Sequence, residues 1–114
     1  APAASTASGD SPCAAAAERA SEGWGSGLHQ FANPPYDAEA WTSFQNDVES
    51  AIGSAESQCA CSSQSCVTVR EAMRDLRGLV SEMGTAIRNG SSPPSDAVQR
   101  QEAIDNKIAS ARAL

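Results

Sequence analysis

The chain has 114 residues, 40% of them hydrophobic and only 4% aromatic, with a formal net charge of −6 and four cysteines. That length allows one domain, and an interior drawn mainly from Ala, Val, Ile, Leu and Met leaves it a thin stability margin. The acidity disfavours a phosphate-backbone partner, so no nucleic-acid binding is expected, and no apolar run approaches the roughly 18 residues of a transmembrane segment.

Residues 1–11 have no apolar period and read as a disordered lead, leaving 12–114 as a single helical domain. The Ala-Pro-Ala start without an initiator Met is the form expected after signal-peptide removal. Ser11 and Pro12 then have the form of an N-cap with proline at the first helical position. Cys13, Ala17, Ala20, Trp24, Leu28 and Phe31 recur at three- and four-residue steps, which predicts helix one. Gly23, Gly25 and Gly27 each cost about 1 kcal/mol relative to Ala, so a break near Gly23 is expected, with Asn33-Pro34-Pro35 as the stop.

Asp37 is a good N-cap for helix two, with Glu39 in its first turn and Tyr36 and Trp41 at the positions of a hydrophobic staple. The stripe Trp41, Phe44, Val48, Ile52, Ala55 and Cys59 carries it to an end between Cys59 and Cys61. Ser62 to Ser65 form a turn. Helix three follows as a heptad-like run of Cys66, Val69, Met73, Leu76, Val80, Met83 and Ile87, with a serine at its start and Asn89-Gly90 at its end. Thr68 with Glu71 is an alternative capping box for that start. After Ser91-Ser92-Pro93-Pro94, helix four is capped by Ser95 or Ser92. Its weaker face is Ala97 or Val98, then Gln101, Ile104, Ile108 and Ala111, closing on Leu114.

Short connections between such helices predict an all-α, up-down-up-down four-helix bundle. The alternative is a three-helix bundle with helix one tethered to it. In the bundle, Cys59 and Cys66 flank the tip between helices two and three, Cys61 lies in that tip, and Cys13 reaches the same end, so two disulfides brace the fold. A Cys59–Cys61 bond is strained by its one-residue gap. The expected pairing is Cys59–Cys66 with Cys13–Cys61; the alternative is Cys61–Cys66 with Cys13–Cys59. A zinc or copper(I) site on Cys13, Cys59, Cys61 and Cys66 and redox-active thiols are the competing readings of the four sulfurs, and the lack of a Cys-x-x-Cys argues against a thioredoxin-like role. The spacing of the cysteines lacks the paired two-residue gaps of zinc ribbons, and Met73 and Met83 lie too far up helix three to join them. No cofactor is expected.

The charge is uneven. Residues 20–69 carry six acids (Glu22, Asp37, Glu39, Asp47, Glu49, Glu56) and no Lys or Arg, whereas 70–88 set Arg70, Arg74, Arg77 and Arg88 against Glu71, Asp75 and Glu82. The acidic half is a solvated face or a surface for a basic protein partner. Trp24, Phe31, Tyr36 and Trp41 concentrate at the end opposite the cysteines. They read as a core plug or, functionally, as a hydrophobic ligand or partner patch. His29, the one histidine, has no nucleophile and orienting carboxylate in a recognisable motif, so no catalytic residue is expected. The sequence thus predicts a secreted or periplasmic, non-enzymatic interaction or structural module with an acidic face. A metal carrier using the cysteines and a small hydrophobic-ligand carrier using the aromatic end are the alternatives.

Overall fold

A computed structural model describes residues 2–31 and 35–113, with only the backbone described for residues 2–11 and His29. Four helices follow one another: α1 (Pro2–Leu28, ending in the 3₁₀ turn His29–Phe31), α2 (Ala38–Gln58), α3 (Gln64–Asn89) and α4 (Ala97–Ala113). The fold is the expected all-α bundle. α1 packs on α2 and α4, α3 packs on the same two neighbours, and α1 also reaches α3 across the middle. That diagonal approach follows from composition, because α1 turns the small side chains Ala14, Ala16, Ala17 and Ala20 into the core.

α1 departs from the sequence pattern twice. Its backbone is helical from Pro2, where a disordered lead over 1–11 was expected, and Pro12 lies inside the helix. An interior proline removes one N–H rung and crowds the carbonyl four residues earlier, a cost of about 3 kcal/mol, yet the backbone carries the helix across Pro12 through a flank rich in alanine. Among the residues whose side chains are described, Cys13 is the first that is fully buried. The helix also does not break at Gly23 but continues to Leu28. Ala20 at 1% exposure and Trp24 at 0% anchor the helix on either side of Gly23, and that burial outweighs the glycine propensity cost. Of the stop Asn33-Pro34-Pro35, Asn33 and Pro34 lie outside the described residues, as does Leu114.

The remaining boundaries are set by local chemistry. The Asp37 carboxylate accepts from the Glu39 and Ala40 N–H groups at 3.0 and 3.1 Å, which caps α2. The Ser63 hydroxyl accepts from Cys66 N at 3.2 Å, so α3 starts there and not at Thr68. Gly90 ends α3 at φ +67°, a conformation that favours glycine. Gly90 N donates to Ile87 O and Ser91 N to Ala86 O, which makes the end a Schellman motif. The Asp96 carbonyl accepts from Arg100 N, so the N-cap place of α4 falls to Asp96, one residue beyond the expected serine. Ala97 turns inward, while Val98 is 67% exposed.

Two cross-ties fix the up-down-up-down order. At one pole the Tyr36 hydroxyl donates to Ser91 O at 2.9 Å, joining the α1–α2 and α3–α4 connections. At the other the buried Ser65 hydroxyl donates to Ala111 O at 2.9 Å, joining the start of α3 to the end of α4. The core between them includes Ile52, Val69, Met73, Leu76, Leu79, Val80, Met83, Ile104 and Ile108. Met73 and Met83 are thus interior packing groups.

Candidate functional site

The sulfur pole is assembled by the ends of α2 and α3. Cys59 is the last residue on the inner stripe of α2, and it bonds to Cys13 of α1 with Cα atoms 4.8 Å apart. Cys61 lies past the helix end and bonds to Cys66 in the first turn of α3, Cα to Cα 5.7 Å. The expected pairing of Cys59 with Cys66 and Cys13 with Cys61 is therefore corrected to the alternative one. The reason is directional: the helix aims Cys59 along its stripe, toward α1, and only a loop residue is free to turn back over α3. The structure pairs all four sulfurs, so a thiolate metal site requires those bonds to be reduced first. No group of three His, Cys, Asp or Glu among the described residues is placed to hold a metal ion.

The two bonds differ in what they do for the fold. Cys13–Cys59 closes a separation of 46 residues, and loop-closure entropy gives it about 4 kcal/mol; Cys61–Cys66 closes a separation of 5, for roughly 2 kcal/mol. They also differ in burial. Cys13, Cys59 and Cys66 are at 0% exposure, whereas Cys61 is half-buried. Arg70, one turn beyond Cys66, lays its guanidinium across the loop. Its Nη1 donates to Cys59 O and, at 2.6 Å, to Cys61 O, satisfying carbonyls that the end of α2 leaves open. Sequence reading did not assign Arg70 this place. The available signal was its i+4 spacing from Cys66, which puts both on one face of α3.

At the opposite pole the structure brings together Trp24, Phe31 and Trp41 and adds Phe44, while Tyr36 packs partly buried against the core without joining the ring stack. The Phe44 ring lies nearly parallel to Trp24 (5.6 Å, 11°) and Phe31 (5.6 Å, 19°). Trp41 meets Trp24, Phe31 and Phe44 edge-on at 6.1, 5.2 and 5.8 Å. Trp24, Gly27 and Phe31 share one stripe of α1, and the glycine opens a notch between two large rings for Phe44. A Cβ at position 27 would fall 2.1 Å from Phe44 Cε1, so only glycine allows this approach. Trp24, Phe31 and Trp41 are at most 2% exposed, so of the two readings of these three rings the core plug fits their burial and the surface patch does not. Tyr36 is the cross-tie to Ser91. The side chain of His29 lies outside the described residues.

Phe44 is only half-buried, and beside it α1 and α2 part into an open groove of about 340 Å³. Ala20, Gly23, Val48 and Ala51 form its floor, with Asp47 at its rim. An added Cβ at Gly23 meets nothing within 4 Å, so the missing side chain there leaves open space.

The ion pairs draw on all four helices. Arg77 pairs with Glu56, Arg100 with Glu82 and Asp96, Lys107 with Asp75, and Arg112 with Glu18, so α3 and α4 supply every cation of these ion pairs. The Arg100 hydrogen bond holds the exposed Glu82 carboxyl below the usual carboxylate range. On the α1–α2 side Glu22, Glu39 and Asp47 are exposed, in a stretch without Lys or Arg; Arg19 is the nearest cation, one turn from Gly23. Between α1 and α4 the buried Ser21 hydroxyl donates to Asp105 Oδ1, and Gln101 Nε2 donates to Ser21 Oγ at 2.6 Å and to Asp105 Oδ1 at 3.2 Å. Sequence periodicity placed Gln101 on the inner stripe of α4, and Ser21 and Asp105 are the polar partners that make this position tolerable.

No protein-family model, curated protein or solved structure matches the chain.

Proposed function

We propose that this chain is an exported, non-enzymatic interaction module that binds a basic protein surface through the α1–α2 face. One observation carries the reading: residues 20–69 hold six acids and no Lys or Arg, and Glu22, Glu39 and Asp47 among them are exposed, whereas Arg100 and Lys107 are paired with Glu82 and Asp75 inside the α3–α4 half. Such a face steers cationic partners and repels anionic ones. The groove beside Phe44 supplies apolar area within it, which a charged surface alone lacks. Two disulfides support an oxidising compartment, secreted or periplasmic. No helix among the described residues is long and apolar enough to cross a membrane. The non-enzymatic part of the reading rests on the sequence, in which the one histidine, His29, stands in no recognisable nucleophile–base motif.

Titration of the isotopically labelled protein with an amphipathic Lys/Leu peptide tests the proposal. Amide shifts confined to α1 and α2, weakening as salt is raised, are expected, along with their loss in an Asp47→Lys, Glu39→Lys double variant. Shifts spread evenly over α3 and α4, or none at millimolar peptide, would contradict it.

A further inference from the structure

We propose that Cys61–Cys66 is an exchange site for external dithiols, while Cys13–Cys59 is a permanent brace. The two bonds lie at one pole of one small protein and yet differ in the burial of one partner and in the length of chain each closes. The brace joins two fully buried residues, Cys13 within α1 and Cys59 at the C-cap of α2. The other bond has its first sulfur on a half-buried loop residue, outside any helix, and closes a separation of only 5 residues. Opening it frees a short loop and leaves the long link between α1 and α2 in place.

The surroundings also select which sulfur leaves. Exchange is faster when the departing thiol has a low pKa. Cys66 is the third residue of α3, whose amino end carries the positive end of the helix dipole. Arg70 stands one turn further along the same face, with its guanidinium pinned by Cys59 O and Cys61 O into the loop between the sulfurs. A thiolate forming on Cys66 is therefore met by a helix amino end and a fixed cation. Cys61, half-buried on the loop, is the more accessible of the two residues to an incoming nucleophile.

The step is as follows. One thiolate of an external dithiol attacks Cys61 Sγ and forms a mixed disulfide there. The Cys61–Cys66 bond breaks with its electron pair on Cys66, which departs as the thiolate. The second external thiol loses its proton and attacks the external sulfur of the mixed disulfide, expelling Cys61. The external dithiol is oxidised to a disulfide, and Cys61 and Cys66 together gain two electrons and two protons.

Dithiothreitol applied to the whole folded protein, followed by alkylation and tandem mass spectrometry, tests this. Two alkyl groups on Cys61 and Cys66, with Cys13–Cys59 intact and the helical circular dichroism unchanged, are expected to accumulate first. Reduction of both bonds in step, earlier loss of Cys13–Cys59, or labelling only after helix is lost would overturn the proposal. Acid-quenched reaction with glutathione, a monothiol, should place the mixed disulfide on Cys61; finding it on Cys66 would reverse the roles. Arg70→Met should slow exchange by about three- to tenfold, with Arg70→Lys restoring most of the rate. If Arg70 were only a latch on the loop, its removal would speed exchange, and that result would overturn the leaving-group assignment.

Discussion

At one end of the bundle, two disulfides and the Arg70 guanidinium tie α2 to α1 and α3. At the other, four stacked and edge-on rings and the Tyr36–Ser91 hydrogen bond hold the helices together. Covalent closure acts mainly on the unfolded chain and asks little of side-chain volume. Ring closure acts on the folded state and depends on shape, as the glycine notch under Phe44 makes plain. A chain with 4% aromatic residues thus spends nearly all of them on one pole and needs sulfur at the other.

Breaking the first pole should have the largest effect. Replacing Cys13 and Cys59 together with Ala is expected to cost about 4 kcal/mol in urea unfolding, with little change in the aromatic near-ultraviolet signal before the transition. Phe44→Ala attacks the second pole, and about 3 kcal/mol is expected, at the low end for a phenylalanine because the ring is half-buried. Its signature is the reverse: near-ultraviolet dichroism falls while both disulfides persist. Gly27→Ala should cost roughly 2 kcal/mol, since the Phe44 ring must shift, whereas Gly23→Ala, in open space, should be neutral or stabilising. Thermal melts of the two glycine variants separate packing from propensity. Tyr36→Phe removes only the bond to Ser91 O, and about 1 kcal/mol is expected in the same assay.

The helical stripes were legible in the sequence because three- and four-residue spacing is a local property. The stripe from Trp41 to Cys59 and the run from Cys66 to Ile87 match the buried faces of α2 and α3. Convergence of Cys13, Cys59, Cys61 and Cys66 was legible too, since it follows from topology alone. The pairing was not. It depends on whether Cys61 leaves α2 before or after its last turn, and one residue at a helix end decides which sulfur faces α1. The glycines misled for a similar reason. Propensity treats Gly27 as a weak point, but the missing side chain is what admits Phe44, a residue 17 positions away. Arg70 and the Ser21–Asp105–Gln101 contacts were out of reach because they are meetings between elements, with no local pattern to announce them.

Disulfide mapping of unreduced protein by tandem mass spectrometry tests the sulfur pole most directly. Fragments joined as Cys13–Cys59 and Cys61–Cys66 are the predicted result; Cys59 joined to Cys66, or free thiols at any of the four positions, would contradict it.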